Sequence, residues 1–99
     1  MNNMEYAEVL DYVNSRSSEL DNVNVFRVHS SYDPKSNQIS KVALKVNYTK
    51  DGAPLSTAFN AKGKPTKNFI QRSVQFRGDR CTKEEVITWL DNFMQEKGR

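Results

Sequence analysis

The chain has one cysteine, Cys81, and one histidine, His29, among 99 residues. A single thiol closes no internal disulfide and cannot complete a thiolate metal site. With one histidine, neither a Ser-His-Asp relay nor a Cys-His pair has a supporting network. A Cys81–His29 dyad is formally open, because Cys81 precedes a helix start, where thiolate is favoured. Its position before a helix cap explains it as a packing residue without any chemistry, which is the expected reading. There are only four glycines and three prolines, which excludes a fibrous or low-complexity chain and leaves no Gly-rich loop to cradle a phosphate. No stretch approaches the roughly 20 apolar residues of a membrane span. The opening MNNMEYAEVLDY has neither a basic n-region nor an unbroken apolar run, so no signal peptide is expected. No carboxylate pair stands out from helix-surface charge. The expectation is a cytoplasmic protein in a reducing setting, with no metal, no cofactor and no enzymatic activity.

What is present is a polar globular composition, 36% hydrophobic and 27% charged. Its length supports one domain over residues 1–99 with one modest core, which a deep substrate cavity would consume.

The net charge of +3 conceals a division along the chain. Residues 1–22 set Glu5, Glu8, Asp11, Glu19 and Asp21 against Arg16, a net −4. Residues 23–80 set eleven Lys and Arg against three Asp, a net +8, and residues 81–99 carry a net −1. Such asymmetry points the basic segment toward a polyanion or an acidic partner. Exposed lysines also keep a sheet soluble and discourage edge pairing, so solvation is the competing reading.

The hydrophobic pattern gives the element order. Tyr6, Val9, Leu10 and Val13 recur at helical spacing over 3–20, with Asn2 and Glu5 as a capping pair. Residues 23–31 read as a strand with apolar groups on both faces, so its inward face is left open. Asp33-Pro34 begins turn chemistry. Residues 39–49 alternate cleanly, with Val42, Leu44, Val46 and Tyr48 on one face and Lys41, Ala43, Lys45, Asn47 and Thr49 on the other. Asp51-Gly52 then predicts a hairpin into a weaker strand over 55–61. Lys62 to Lys67 form a basic loop, and 69–77 is a further strand. Thr82 and Glu85 make a capping box, with Cys81 and Val86 at staple spacing, before a helix carrying Val86, Trp89, Leu90, Phe93 and Met94. The predicted fold is therefore α+β in the order αββββα: a two-layer domain whose four-stranded antiparallel sheet carries both terminal helices on one face.

Three short strings have bland explanations. Arg77-Gly78-Asp79 spells an adhesion tripeptide but reads as a strand end and turn. Asn47-Tyr48-Thr49 fits a glycosylation pattern that a cytosolic chain does not use. Lys62-Gly63-Lys64-Pro65 is similar to the Arg-Gly-Arg-Pro core of the AT-hook, with Lys lacking the guanidinium fork.

Three outlines bear on function. The order hairpin, strand and Thr82-x-x-Glu85-x-x-x-Trp89-Leu90 helix, over residues 42–90, resembles the three-stranded-sheet-plus-helix domains at the N-termini of phage integrases, which lay the sheet in a DNA groove. It is also similar to small single-strand binders in which a basic sheet precedes a helix. A compact α/β domain of this size without chemistry is similar in type to phage and mobile-element inhibitors, anti-CRISPR proteins among them. The resulting expectation is a non-catalytic domain associating with DNA or RNA through Lys41, Lys45, Lys62, Lys64, Lys67, Arg72 and Arg77. Its alternative is an inhibitor that occupies a nucleic-acid-handling protein complex. No membrane partner is expected, and a free sheet edge allows a homodimer.

Overall fold

The computed structural model describes residues 1–98. Helix α1 (Asn3–Ser17) is followed by strands β1 (Val23–Asp33), β2 (Gln38–Thr49) and β3 (Phe69–Arg77), and then helix α2 (Lys83–Lys97). The strands form one antiparallel sheet in the order β1-β2-β3. Among the described residues no helix is long and apolar enough to cross a membrane.

The sheet has three strands, which corrects the four-stranded expectation. The missing strand is 55–61, and with it goes the hairpin across Asp51-Gly52. Gly52 does take the positive φ, 83°, that a turn demands, but the chain does not return along β2. The Asp51 carboxylate accepts from Ala53 N–H at 3.0 Å and Asn68 Nδ2 at 2.9 Å. Lys50 N–H donates to the Asn68 carbonyl at 2.9 Å. These bonds pinch 50 and 51 against 68, closing the base of a nineteen-residue excursion from 50 to 68. Pro54 has no N–H to give a ladder, and it leads into a 3-10 turn over Leu55–Ala58. The edge of β2 that the hairpin needed goes to β3, with Thr49 opposite Phe69 and Lys41 opposite Arg77. β3 brings Ile70, Val74 and Phe76 to the core, whereas 55–61 offers mostly small and polar residues. The integrase-like outline of residues 42–90 included the strand that does not form.

The other elements follow their local chemistry. Asn2 Oδ1 accepts from Glu5 N–H at 2.7 Å while Glu5 Oε1 accepts from Asn2 N–H at 3.0 Å, a complete capping box on α1. For α2 the structure shows the Thr82 half, with its Oγ1 accepting from Glu85 N–H at 3.1 Å. Cys81 and Val86 both join the core, as the staple spacing predicts. Helix α1 ends at Ser17, one turn short of residue 20, where the Arg16-Ser17-Ser18 run interrupts the stripe.

Both helices cover one face of the sheet. Val23 and Val25 of β1, Val42, Leu44, Val46 and Tyr48 of β2, and Phe76 of β3 are buried there with Val9, Val13, Val86, Leu90, Phe93 and Met94. Phe93 meets Tyr48 edge-on at 5.4 Å and stacks on Trp89 at 5.3 Å, and Trp89 meets Phe76 at 6.1 Å. The far end of the layer is tied by Asn22, fully buried, whose Nδ2 donates to the Lys97 carbonyl at 2.9 Å. Gly98 sits so close to Leu20 that a Cβ there would approach its Cδ1 to 2.6 Å.

Leu44 is fully buried on the central strand. Leu44→Ala is expected to lower the unfolding free energy by about 2–5 kcal/mol, measured by urea denaturation with an unchanged m-value. A loss under about 1 kcal/mol would mean that the sheet–helix interface does not carry the fold.

Candidate functional site

The sheet face opposite the helices is built by strand register. Residues directly opposite in antiparallel strands share a face, so four cross-strand rows lie there. They are Asn24–Asn47–Gln71, Phe26–Lys45–Ser73, His29–Ala43–Gln75 and Ser31–Lys41–Arg77. The first row is knit by Gln71 Nε2 donating to Asn47 Oδ1 at 2.9 Å. No Asp or Glu falls in these four rows; Asp33 lies beyond them, opposite Gln38 at the turn end of the sheet.

One end of this face is covered. Thr49 belongs to it by alternation yet is only 3% exposed, with its hydroxyl donating to the Ala53 carbonyl at 2.6 Å. The excursion lies over it, anchored by Phe59 on Phe69 at 5.2 Å and by Leu55 N–H on the Asp21 carbonyl at 2.7 Å. Beyond that anchor the excursion is an ordered miniature ladder. Phe59 bridges Pro65, Asn60 N–H donates to the Lys64 carbonyl at 2.8 Å, and Thr66 N–H donates to the Ala58 carbonyl at 2.8 Å. Asn60 Oδ1 accepts from both Lys62 and Lys64 N–H, and Gly63 turns the chain at φ 77°. Lys62 and Lys64 are thereby displayed at a fixed tip instead of trailing in an open loop.

The seven residues named from sequence divide three ways. Lys41, Lys45 and Arg77 come together on the open face. Lys62, Lys64 and Lys67 lie in the excursion at its covered end, all exposed. Arg72 stands apart: it is opposite Val46, a core position, so it emerges on the helix side, beside Trp89, Asn92, Phe93 and Glu96. Tyr48 lies inward with its face-mates Val42, Leu44 and Val46, and Phe93 of the second helix's stripe is buried.

Electrostatics separates the two layers. The ion pairs among the described residues are Arg16–Glu19, Arg16–Asp91, Glu8–Lys83 and Glu96–Lys97, all between helices or beside them. Tyr12 adds a hydroxyl bond to Asp91, which pushes its phenol above the ordinary range. None of Lys41, Lys45, Lys62, Lys64, Lys67 and Arg77 is in an ion pair among the described residues. The helical layer neutralises its own cations; the open face does not.

Sequence reasoning missed the β1 contribution. The register shifts between Arg27 and His29, so Val28 is an extra residue and Val28 and His29 together oppose Ala43. Phe26 and Val28 are 39% and 49% exposed on this face. The signal was present in the apolar residues on both faces of 23–31: with Val23 and Val25 turned inward, alternation leaves Phe26 and Val28 on the outer face.

The dyad does not assemble. His29 is on the open face, within 3.2 Å of Ser31 Oγ. Cys81 is buried on the helix side, with its thiol against the Ile39 carbonyl at 3.5 Å. Compared with known proteins, the chain matches no family model, no curated protein and no solved structure.

Burial raises the Cys81 thiol above its ordinary value, keeping it protonated at neutral pH. The native protein is therefore expected to resist a thiol-specific reagent at pH 7.5 and to react at the rate of free cysteine once unfolded in urea. Rapid labelling of the native state would contradict the buried placement.

Proposed function

We propose that this protein is a non-catalytic domain that associates with nucleic acid through the open face of its sheet. The observation that carries the reading is a set of six cations, on the face and at its covered end, none of them in an ion pair among the described residues, with no carboxylate in the four central cross-strand rows. Lys41, Lys45 and Arg77 contact phosphate from the sheet, and Lys62, Lys64 and Lys67 extend the contact at the end of the face. Thr49 and Lys41 are eight residues apart on β2, so the strip between the lysine groups runs about 26 Å at strand rise. That length engages several phosphates and not one. Arg72 is left out of this surface, because its side of the sheet belongs to α2.

A contact made to phosphates is salt-dependent and carries little sequence information. With six phosphates neutralised on a single strand, the logarithmic salt slope would be about −4.2, a loss of roughly three-hundredfold in affinity between 50 and 200 mM salt. The test is fluorescence anisotropy with the purified protein and labelled oligonucleotides across that range. Lys41→Ala, Lys45→Ala and Arg77→Ala are each expected to weaken binding and reduce the slope by about 0.7, while Arg72→Ala leaves it unchanged. No binding to any oligonucleotide at low salt would overturn the reading in favour of a protein-surface partner. Retention of a stoichiometric protein from a nuclease-treated lysate would then identify that class.

A further inference from the structure

The centre of the open face is a trough, and its origin is local. Ala43 has the smallest side chain of the four central positions on β2's outer face, Lys41, Ala43, Lys45 and Asn47. Opposite it the β1 bulge places two side chains, Val28 and His29, where a regular strand would place one. On the other flank β3 sets Gln75 directly across from Ala43, with Ser73 beside it. A bulge re-aims side chains and deepens local twist, and here it raises a wall beside a low floor. The depression so formed holds about 280 Å³, with Lys41 and Lys45 at its two ends along β2.

Its size and chemistry restrict the occupant. The volume is just under the roughly 300–1,000 Å³ of a drug-sized ligand pocket, leaving room for one flat ring system. The floor and one wall are apolar, through Ala43 and Val28. The edges carry hydrogen-bonding groups at His29, Ser73 and Gln75. A cation stands at each end, about 13 Å apart at strand rise. An isolated small aromatic would leave both lysines without a partner. A duplex buries its bases in the stack and presents phosphates to such a face, so it would leave the trough empty.

We infer that the trough is a single-base subsite for single-stranded nucleic acid. This rests on the phosphate-binding reading above and deepens it. An unstacked base lies flat over Ala43 against Val28, its edge meets His29 and Gln75, and the flanking phosphates reach Lys41 and Lys45. Phe26, one row along β1 beside Lys45, offers its exposed ring to the neighbouring base. Base contact with such a platform is tolerant of sequence because every base presents a face.

The test uses three labelled probes of equal length: a single-stranded oligonucleotide, the same strand with abasic sugars at its interior positions, and a duplex. The abasic strand keeps every phosphate and removes the bases. The native protein is expected to bind the intact strand roughly tenfold more tightly than the abasic one, in the range one stacked base contributes. Ala43→Leu and Ala43→Gln both fill the trough from the solvent side without changing charge. Each is expected to abolish that preference while leaving the salt slope unchanged, with circular dichroism confirming the fold. Equal binding of intact and abasic strands by the native protein overturns the subsite and leaves the phosphate reading standing. Preference for the duplex also overturns it. Failure of all three probes to bind at low salt overturns both.

Discussion

The alternation of β2 is the constraint on which the rest of this structure depends. Four of its residues, Val42, Leu44, Val46 and Tyr48, are buried against the helices. With a side-chain period of two, burying that set commits Lys41, Ala43, Lys45 and Asn47 to the other side. A one-residue slip of β2 would turn Lys41 and Lys45 toward the helices and bury their charge in the core. The register is therefore held by the high cost of burying unpaired charge, and the charged face is a by-product of the core. The same commitment brings Lys41 opposite Arg77 across the strands. Two cations side by side disfavour each other slightly, a cost the core readily offsets.

The helices complete this partition by acting as an acidic lid over the apolar side. Glu8 reaches Lys83 across the two helices, and Asp91 receives both the Tyr12 hydroxyl and the Arg16 guanidinium. The acidic segments at the two ends of the chain thus spend part of their charge on each other. Surface pairs of this kind contribute little to stability. Their geometric effect is to hold these carboxylates on the helical side, away from the cations of the opposite face.

Much of this was legible in the residues. The two faces of β2 followed from alternation, with Tyr48 grouped among Val42, Leu44 and Val46, and both helices from their stripes and caps. The fourth strand failed for an identifiable reason. Asp51-Gly52 is a strong local turn signal, but a central strand has only two edges, and 69–77 brings larger apolar groups than 55–61 to the second. Competition between distant segments for one edge is a tertiary matter that local chemistry does not encode. Arg72 failed differently: its charge placed it with the other cations, while its position, two residues from both Ile70 and Val74, already assigned it to the helix side. The trough escaped notice because it needs three strands at once, an alanine on one, a bulge on the second and a glutamine on the third.

The two connections of the sheet differ greatly in length, and this sets an order of assembly. The chain between β1 and β2 is the four residues 34–37, in which Asp33 accepts from Lys35 N–H and from the Ser36 hydroxyl. Joining β2 to β3 means closing nineteen residues, an extra entropic cost of about 1.4 kcal/mol. Loop entropy therefore favours closing the β1–β2 ribbon before β3 and its excursion dock onto it. When β3 leaves, it takes with it Gln75, Ser73, Arg77 and the excursion's lysines. The proposed binding face is thereby shared between the β1–β2 ribbon and the β3 part. A polyanion bridging the two would act as a clasp, holding the last strand in place.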